Sequence, residues 1–290
     1  MARILITGSN GQLGNELNVL SRNFYGYDFV FTDIENLDLT NTGQTSDFIK
    51  NLQPDWIVNC AAYTLVDKSE SEPDIAMLVN GTAVKNITEA ILGTECKFIH
   101  ISSDYVYDGK SNVPYCEFVA TNPLSAYGRS KLAGEKFALL HPRSMIIRTS
   151  WLYSSFGNNF VKTMLRLGAE KESLNVVFDQ TGSPTYANDL AGAILSIISG
   201  VIRNQIALNA GIYNYSNEGV CSWYDFAVEI MRQAGLSCQV SPILSKDFPQ
   251  AAKRPVYSVM DKTKIKENYN LSIPHWRTSL NKCMELLIKS

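Results

Sequence analysis

The stretch Arg3-Ile4-Leu5-Ile6-Thr7-Gly8-Ser9-Asn10-Gly11-Gln12-Leu13-Gly14 decides the fold. A short apolar run ends in glycines spaced G-x-x-G-x-x-G, and Leu13, Leu17 and Leu20 then recur at helical spacing, which reads as strand, glycine turn, helix. Such a turn lets the backbone approach a pyrophosphate closely and points the helix N-terminus at its charge. Gly8, Gly11, Gln12, Leu13 and Gly14 are therefore candidate cofactor-binding residues. The next run, 27–32, reads as a strand ending at Asp33, about 20 residues past the turn, where an acid accepts the adenosine ribose hydroxyls and repels a 2′-phosphate. No arginine follows immediately, a pattern that leans toward NAD.

Outward from this unit, strand and helix alternate. Periodicity predicts a helix over 45–51, a strand over 56–60, a helix over 74–92 and a strand over 97–102. Right-handed crossovers between such strands make a parallel sheet, with ligands at the strand C-terminal ends. Gly8, Asp33, the stretch Asn59-Cys60-Ala61-Ala62, and Ser102-Ser103 all fall there. The strand at 145–149 completes the doubly wound part near residue 150, and beyond it the pattern loosens. Ser222-Trp223-Tyr224-Asp225 has capping-box spacing and starts a helix to about residue 233. The expected fold is α/β, a doubly wound, Rossmann-like parallel sheet with a smaller interleaved C-terminal substrate lobe. The dinucleotide-binding domain takes 1–150 and 186–215, the lobe 151–185 and 216–290.

The chemistry centres on Tyr127-Gly128-Arg129-Ser130-Lys131. Tyr127 and Lys131 are one helical turn apart on one face, and a phenol beside an ammonium is expected to have its pKa lowered toward the working range of a general acid. Ser103 brings a hydroxyl from elsewhere in the chain.

Composition narrows the partners. In this 290-residue chain, 26 Lys and Arg face 28 Asp and Glu, so no strong field recruits nucleic acid or a membrane surface, and a small ligand is expected. No run reaches the roughly 18 apolar residues of a membrane span and no cleavable leader is evident, so a cytoplasmic location is expected. The six cysteines show no C-x-x-C and the three histidines are isolated, which predicts neither a disulfide framework nor a zinc site.

The glycine turn, Ser103 and Tyr127-x-x-x-Lys131 together resemble the extended short-chain dehydrogenase/reductase superfamily. Several motifs narrow the resemblance to the dTDP-4-dehydrorhamnose reductases. These are 58–70 (Val58-Asn59-Cys60-Ala61-Ala62-Tyr63-Thr64-x-Val66-Asp67-Lys68-x-Glu70), Ser103-Asp104-Tyr105-Val106-Tyr107 and Arg148-Thr149-Ser150-Trp151-Leu152-Tyr153. Gly157-Asn158-Asn159-Phe160, Asp179-Gln180-x-Gly182-x-Pro184-Thr185 and Arg254-Pro255 extend it over nearly the whole chain. Where family members often carry Thr, this chain has Ser103.

The resemblance implies NADPH or NADH as reductant and hydride transfer to the C4 ketone of dTDP-4-dehydro-β-L-rhamnose. It makes Tyr127 the proton donor, Ser103 a hydrogen-bonding partner of the reacting oxygen, and Lys131 the holder of the nicotinamide ribose. Gly11, Gln12 and Leu13 would meet the pyrophosphate, Asp33, Asp38 and Leu39 the adenosine end, and Ala61, Ala62 and Tyr63 the middle of the cofactor. Asp104, Tyr105, Trp151 and Arg254 would face the sugar nucleotide. A homodimer is within the family's range. Some members bind Mg²⁺ through carboxylates at a dimer contact; Glu16 matches one of these, but Asn188 replaces another, which speaks against the metal here. An epimerase or dehydratase on the same scaffold and a non-catalytic regulatory subunit are the alternatives. The late motifs argue against the first, and the intact Ser103, Tyr127 and Lys131 against the second.

Overall fold

The computed structural model describes residues 1–289. Five strands follow the alternation read above: β1 (Ala2–Thr7), β2 (Tyr27–Thr32), β3 (Trp56–Asn59), β4 (Lys97–Ser103) and β5 (Ser144–Thr149). With Gly211–Asn214 they form one six-stranded sheet in the order Gly211–Asn214, β5, β4, β3, β1, β2, with every pairing parallel. A sheet covered on both faces needs apolar residues in succession, and β1 supplies them. Ile4 and Ile6 enter one core while Leu5 enters the other.

Among the described residues, ten α-helices flank the sheet and build the second lobe. They are α1 (Gln12–Ser21), α2 (Thr42–Leu52), α3 (Pro73–Met77), α4 (Ala83–Ile91), α5 (Ala126–Ala138), α6 (Phe160–Glu170), α7 (Ala187–Ile202), α8 (Trp223–Ala234), α9 (Thr263–Tyr269) and α10 (Trp276–Lys289). Leu13 and Leu17 of α1 and Leu190 and Ile194 of α7 cover one face of the sheet. Ile49 of α2, Val84 and Ile87 of α4, and Ala138 of α5 cover the other. A separate core joins Val161 of α6, Phe226 and Ile230 of α8, and Trp276 and Leu280 of α10.

Three features differ from the sequence expectation. The last strand that the sequence predicts for the sheet is β5, but Gly211–Asn214, inside the 186–215 stretch assigned to the same domain, pairs outside it as a sixth. That strand is four residues long and opens on a glycine at φ +128°, so it carries no alternation to read. Helix α9 lies in the stretch assigned to the second lobe, yet Ile265 and Tyr269 pack into the core beneath the sheet. The helix expected over 74–92 is interrupted between α3 and α4 by a π-helical turn, Leu78–Thr82. That turn carries Asn80, whose side chain clamps the backbone N–H and C=O of Tyr63 at 2.9 and 3.0 Å.

The strand order reverses around β1, where chain paths to β2 and β3 diverge and a crevice opens at the C-terminal ends. Register aligns those ends: Thr7 stands level with Thr32 and Asn59, and Ser103 with Thr149.

Candidate active site

One crevice of about 790 Å³ collects almost all of the residues singled out from sequence. Gly8, Gly11, Gln12, Leu13, Gly14, Asp33, Asp38, Leu39, Ala61 and Ala62 line it, as do Ser103, Asp104, Tyr105, Tyr127, Lys131, Trp151 and Arg254. Tyr63 does not. Its phenol donates to Glu72 Oε2 at 2.6 Å, and the neighbouring Thr64 and Leu65 line the crevice instead. Asn80 bonds both the N–H and the C=O of Tyr63 and so holds this loop beside the crevice, with the Tyr63 ring turned to Glu72.

At the glycine turn the fit is steric. Gly8 sits at φ +66°, and a Cβ there would stand 2.5 Å from Ala61 N; on Gly14 it would stand 2.4 Å from Gly8 O. Both positions exclude any side chain. Gly11 is the N-cap of α1, in ordinary extended geometry, and supplies no side-chain cap, so the first-turn amides remain open beside the crevice. No acidic residue occupies that first turn to repel an anion. A glycine cradle with an uncapped helix N-terminus fits the pyrophosphate of a dinucleotide.

Farther along, Asp33 Oδ2 accepts from Asn10 N–H at 2.7 Å and Oδ1 accepts from Ile34 N–H at 2.8 Å. Asp38 closes its own loop, accepting from Thr40 N–H and Oγ1 at 2.9 and 2.7 Å.

Helix α5 carries Tyr127 and Lys131. Ser125 caps it by accepting from Gly128 N–H at 3.1 Å. Gly128 lets the helix press on the preceding segment, since a Cβ there would lie 2.3 Å from Tyr105 O. This contact sets the Tyr127 ring edge-on to Tyr105, with centroids 5.3 Å apart. Lys131 is buried one turn on, and its ammonium donates to Ile101 O at 2.7 Å. Glu135, a further turn along, pairs with the buried guanidinium of Arg148 at 2.6 Å and accepts from Ser102 Oγ, tying β4, β5 and α5 together beneath the crevice.

The electrostatics revise one expectation. Burial pushes the Tyr127 phenol well above its ordinary range, and a hydrogen bond with Ser103 only partly counters it; Lys131 is not among the groups that move it. The ammonium is turned onto Ile101 O, and spacing alone could not show this orientation. Burial brings Lys131 itself down to about 8, opposed by Glu135 and Cys60. Tyr127 is thus a neutral phenol, the form a proton donor needs.

At the end of β4, Ser103 Oγ donates to Asp104 Oδ1 at 2.9 Å and accepts from Tyr105 N–H at 3.2 Å. Asp104 Oδ2 is buried without a hydrogen-bond partner, and burial raises its carboxyl to about 6. Arg254 reaches in from the far end of the chain, donating to Asp67 Oδ2 at 2.7 Å and to Tyr105 Oη at 3.2 Å, while its Nε is buried and unpartnered. Trp151 adopts a left-handed conformation, φ 49°, a strained choice for an aromatic residue that persists only where the surroundings enforce it. Trp223, Asn158 and Asn159 also line the crevice and were not singled out as site residues. Asn159 belonged to a motif and bonds Gln12 Oε1 at 3.0 Å, whereas Trp223 was visible only as the second residue of a capping box.

The residues around Glu16 do not fit a divalent cation. Glu16 is buried, its Oε1 accepts from Ser154 Oγ at 2.6 Å, and its Oε2 accepts from Asn188 Nδ2 at 2.8 Å. No group of three or more His, Cys, Asp or Glu that could hold a metal occurs among the described residues. No helix among them is long and apolar enough to cross a membrane.

A doubly wound sheet with a glycine cradle and a buried Ser-Tyr-Lys set has the form of a nicotinamide-dinucleotide enzyme of the extended short-chain dehydrogenase/reductase type. The family described as RmlD substrate binding domain matches residues 2–288. A dTDP-4-dehydrorhamnose reductase from Aggregatibacter actinomycetemcomitans is 40% identical over 287 residues, covering 97% of each chain. The crystal structure of dTDP-4-dehydrorhamnose reductase from Bacillus anthracis in complex with NADP superposes with a TM-score of 0.92 at 40% identity, covering 99% of this chain and 100% of that one. The chain belongs to the dTDP-4-dehydrorhamnose reductase family. A UDP-glucose 4-epimerase from Brucella ovis, 18% identical, has a TM-score of 0.81 and covers 99% of this chain and 98% of that one, a likeness of fold alone.

Proposed function

We propose that this crevice performs the reaction for which its family is named, reduction of the C4 ketone of dTDP-4-dehydro-β-L-rhamnose to dTDP-L-rhamnose in dTDP-rhamnose biosynthesis. One observation carries the reading to a sugar nucleotide. Beside Ser103, Tyr127 and Lys131 lie a buried acceptor, Asp104 Oδ2, and a buried donor, Arg254 Nε, both without partners in the protein. Buried polar atoms are rarely left unpaired, so each asks for a ligand group: a sugar hydroxyl for the carboxylate, a diphosphate oxygen for the guanidinium.

The reduced nicotinamide dinucleotide supplies the hydride when bound. The glycine cradle and the open first turn of α1 would hold its pyrophosphate, Asp33 its adenosine ribose, and Lys131 its nicotinamide ribose, with one of three ammonium protons engaged by Ile101 O. Asp33 and Asp38, with no cation among the neighbouring crevice residues Ile34, Leu37, Leu39 and Thr40, favour NADH over NADPH. The NADP in the Bacillus anthracis structure makes that preference worth direct measurement.

As negative charge develops on the ketone oxygen, Tyr127 donates its proton. Ser103 turns its hydroxyl from Asp104 toward the same oxygen. The Tyr127 ring is held in place by Tyr105 before reaction, so its hydroxyl stabilises the transition state more than the ground state.

The test is net turnover. Mixed with dTDP-4-dehydro-β-L-rhamnose and NADH or NADPH, the protein is expected to oxidise one reduced cofactor per sugar nucleotide converted. An epimerase would convert the sugar with no net oxidation, and a binding subunit would do neither.

A further inference from the structure

The capping box at Ser222 fixes more than the start of a helix. Ser222 Oγ accepts from Asp225 N–H at 3.0 Å and the Asp225 carboxylate accepts from Ser222 N–H at 2.9 Å, which sets Trp223 as the first residue of α8. From there its ring lies on Trp151 with centroids 3.6 Å apart and planes 8° from parallel. Rings left to themselves prefer offset or edge-to-face arrangements with centroids about 4.5–7 Å apart. So close and parallel a stack is imposed by the backbone on both sides. Gly182 closes the remaining space, since a Cβ there would stand 2.7 Å from Trp151 Cε2.

Register places this pair near Ser103 and Tyr127. Trp151 comes two residues after Thr149, which pairs with Ser103 across β4 and β5, and both indoles line the crevice with Ser103 and Tyr127. We propose that Trp223 is a specificity residue: it holds Trp151 in its left-handed conformation, and the two rings together form an apolar wall that receives the sugar half of the substrate rather than the nucleotide. The proposal rests on reading the crevice as a sugar-nucleotide reductase site. A 6-deoxy sugar suits such a wall, because its methyl and ring C–H bonds can lie against an aromatic face while its oxygens turn to polar partners.

The test compares the wild type with Trp223→Ala and with Trp223→Leu, which keeps apolar volume and removes the ring. Three readouts are taken: binding of NADH, the indole exciton couplet in circular dichroism, and calorimetric affinity for dTDP-L-rhamnose and for dTDP alone. Both variants are expected to bind NADH as the wild type does and to lose the couplet. Affinity for dTDP-L-rhamnose should fall on the order of tenfold, the scale of a lost aromatic contact, while that for dTDP stays unchanged. Trp223→Phe should recover most of the sugar affinity without restoring the couplet. If the Ala variant fails to bind NADH, the Leu variant decides. Unchanged affinity for dTDP-L-rhamnose, or an equal loss for dTDP alone, overturns the proposal. These binding readouts do not depend on turnover, so an inactive wild type would defeat the proposed reaction and leave the wall to be judged separately.

Discussion

Replacing Lys131 by Met should make the apoprotein more stable while damaging catalysis. The side chain is 2% exposed, and burial lowers its pKa from 10.5 to about 8. At about 1.4 kcal/mol per unit, keeping this ammonium charged at neutral pH costs the folded state about 3 kcal/mol relative to the unfolded chain. Methionine removes that cost and loses the bond to Ile101 O, worth about 1 kcal/mol, so a net gain of about 2 kcal/mol remains. For a chain of this size the melting temperature should rise by roughly 4 °C.

The pH dependence gives the sign. A lysine whose folded pKa lies below its unfolded value makes the folded state bind fewer protons between about 8 and 10.5, so wild-type stability rises with pH through that window. The advantage of Lys131→Met is therefore largest below about pH 8 and shrinks toward pH 10.5. Thermal unfolding of both apoproteins at about pH 7 and pH 9.5 measures it. A variant less stable than wild type at neutral pH, or a gap that ignores pH, would refute the claim that the lysine is held there at the expense of stability.

The remaining predictions concern the ligands. Asp104 should make sugar-nucleotide binding pH-dependent: below about 6 its Oδ2 gains a proton and stops being a pure acceptor, so the Michaelis constant should climb by up to about tenfold per unit, and Asp104→Asn should flatten the profile. Arg254→Ala should raise the Michaelis constant for the sugar nucleotide and leave cofactor affinity alone, since Asp67 and Tyr105 hold the guanidinium in the part of the crevice proposed for the sugar nucleotide; an unchanged constant would leave Arg254 only a structural contact. Asp33→Ala should cost NADH more than NADPH, by about 1–3 kcal/mol for a charge-assisted bond. Because Asp33 also ties down Asn10, both cofactors should lose something, and equal losses in paired titrations would remove it from the ribose.

What spacing could carry, the sequence carried. The positions that exclude a Cβ, Gly8 and Gly14, and the shared helix face of Tyr127 and Lys131 were legible because they follow from backbone periodicity. Orientation and burial were not. The expectation that Lys131 depresses the Tyr127 pKa assumed that the ammonium points at the phenol, whereas it points at Ile101 O and burial dominates both groups. The direction of the Tyr63 ring, onto Glu72, was hidden for a similar reason, since its backbone is clamped by Asn80 in an unforeseen π-helical turn. Trp223 announced a helix start, but only the stack on Trp151 shows which cavity that start faces. The edge strand Gly211–Asn214 opens on a glycine and ends on an asparagine, leaving only Ile212 and Tyr213 to mark it, whereas β3 of equal length shows Trp56, Ile57 and Val58 in succession.

The central claim, that Tyr127 donates the proton in reduction of a 4-keto sugar nucleotide, is tested most directly by the turnover of Tyr127→Phe on dTDP-4-dehydro-β-L-rhamnose. The substitution keeps the ring that packs on Tyr105 and removes only the hydroxyl, so cofactor binding should persist while turnover falls by roughly 10² to 10⁴, the usual contribution of a positioned general acid. Near wild-type turnover by Tyr127→Phe, with cofactor binding intact, would contradict the account.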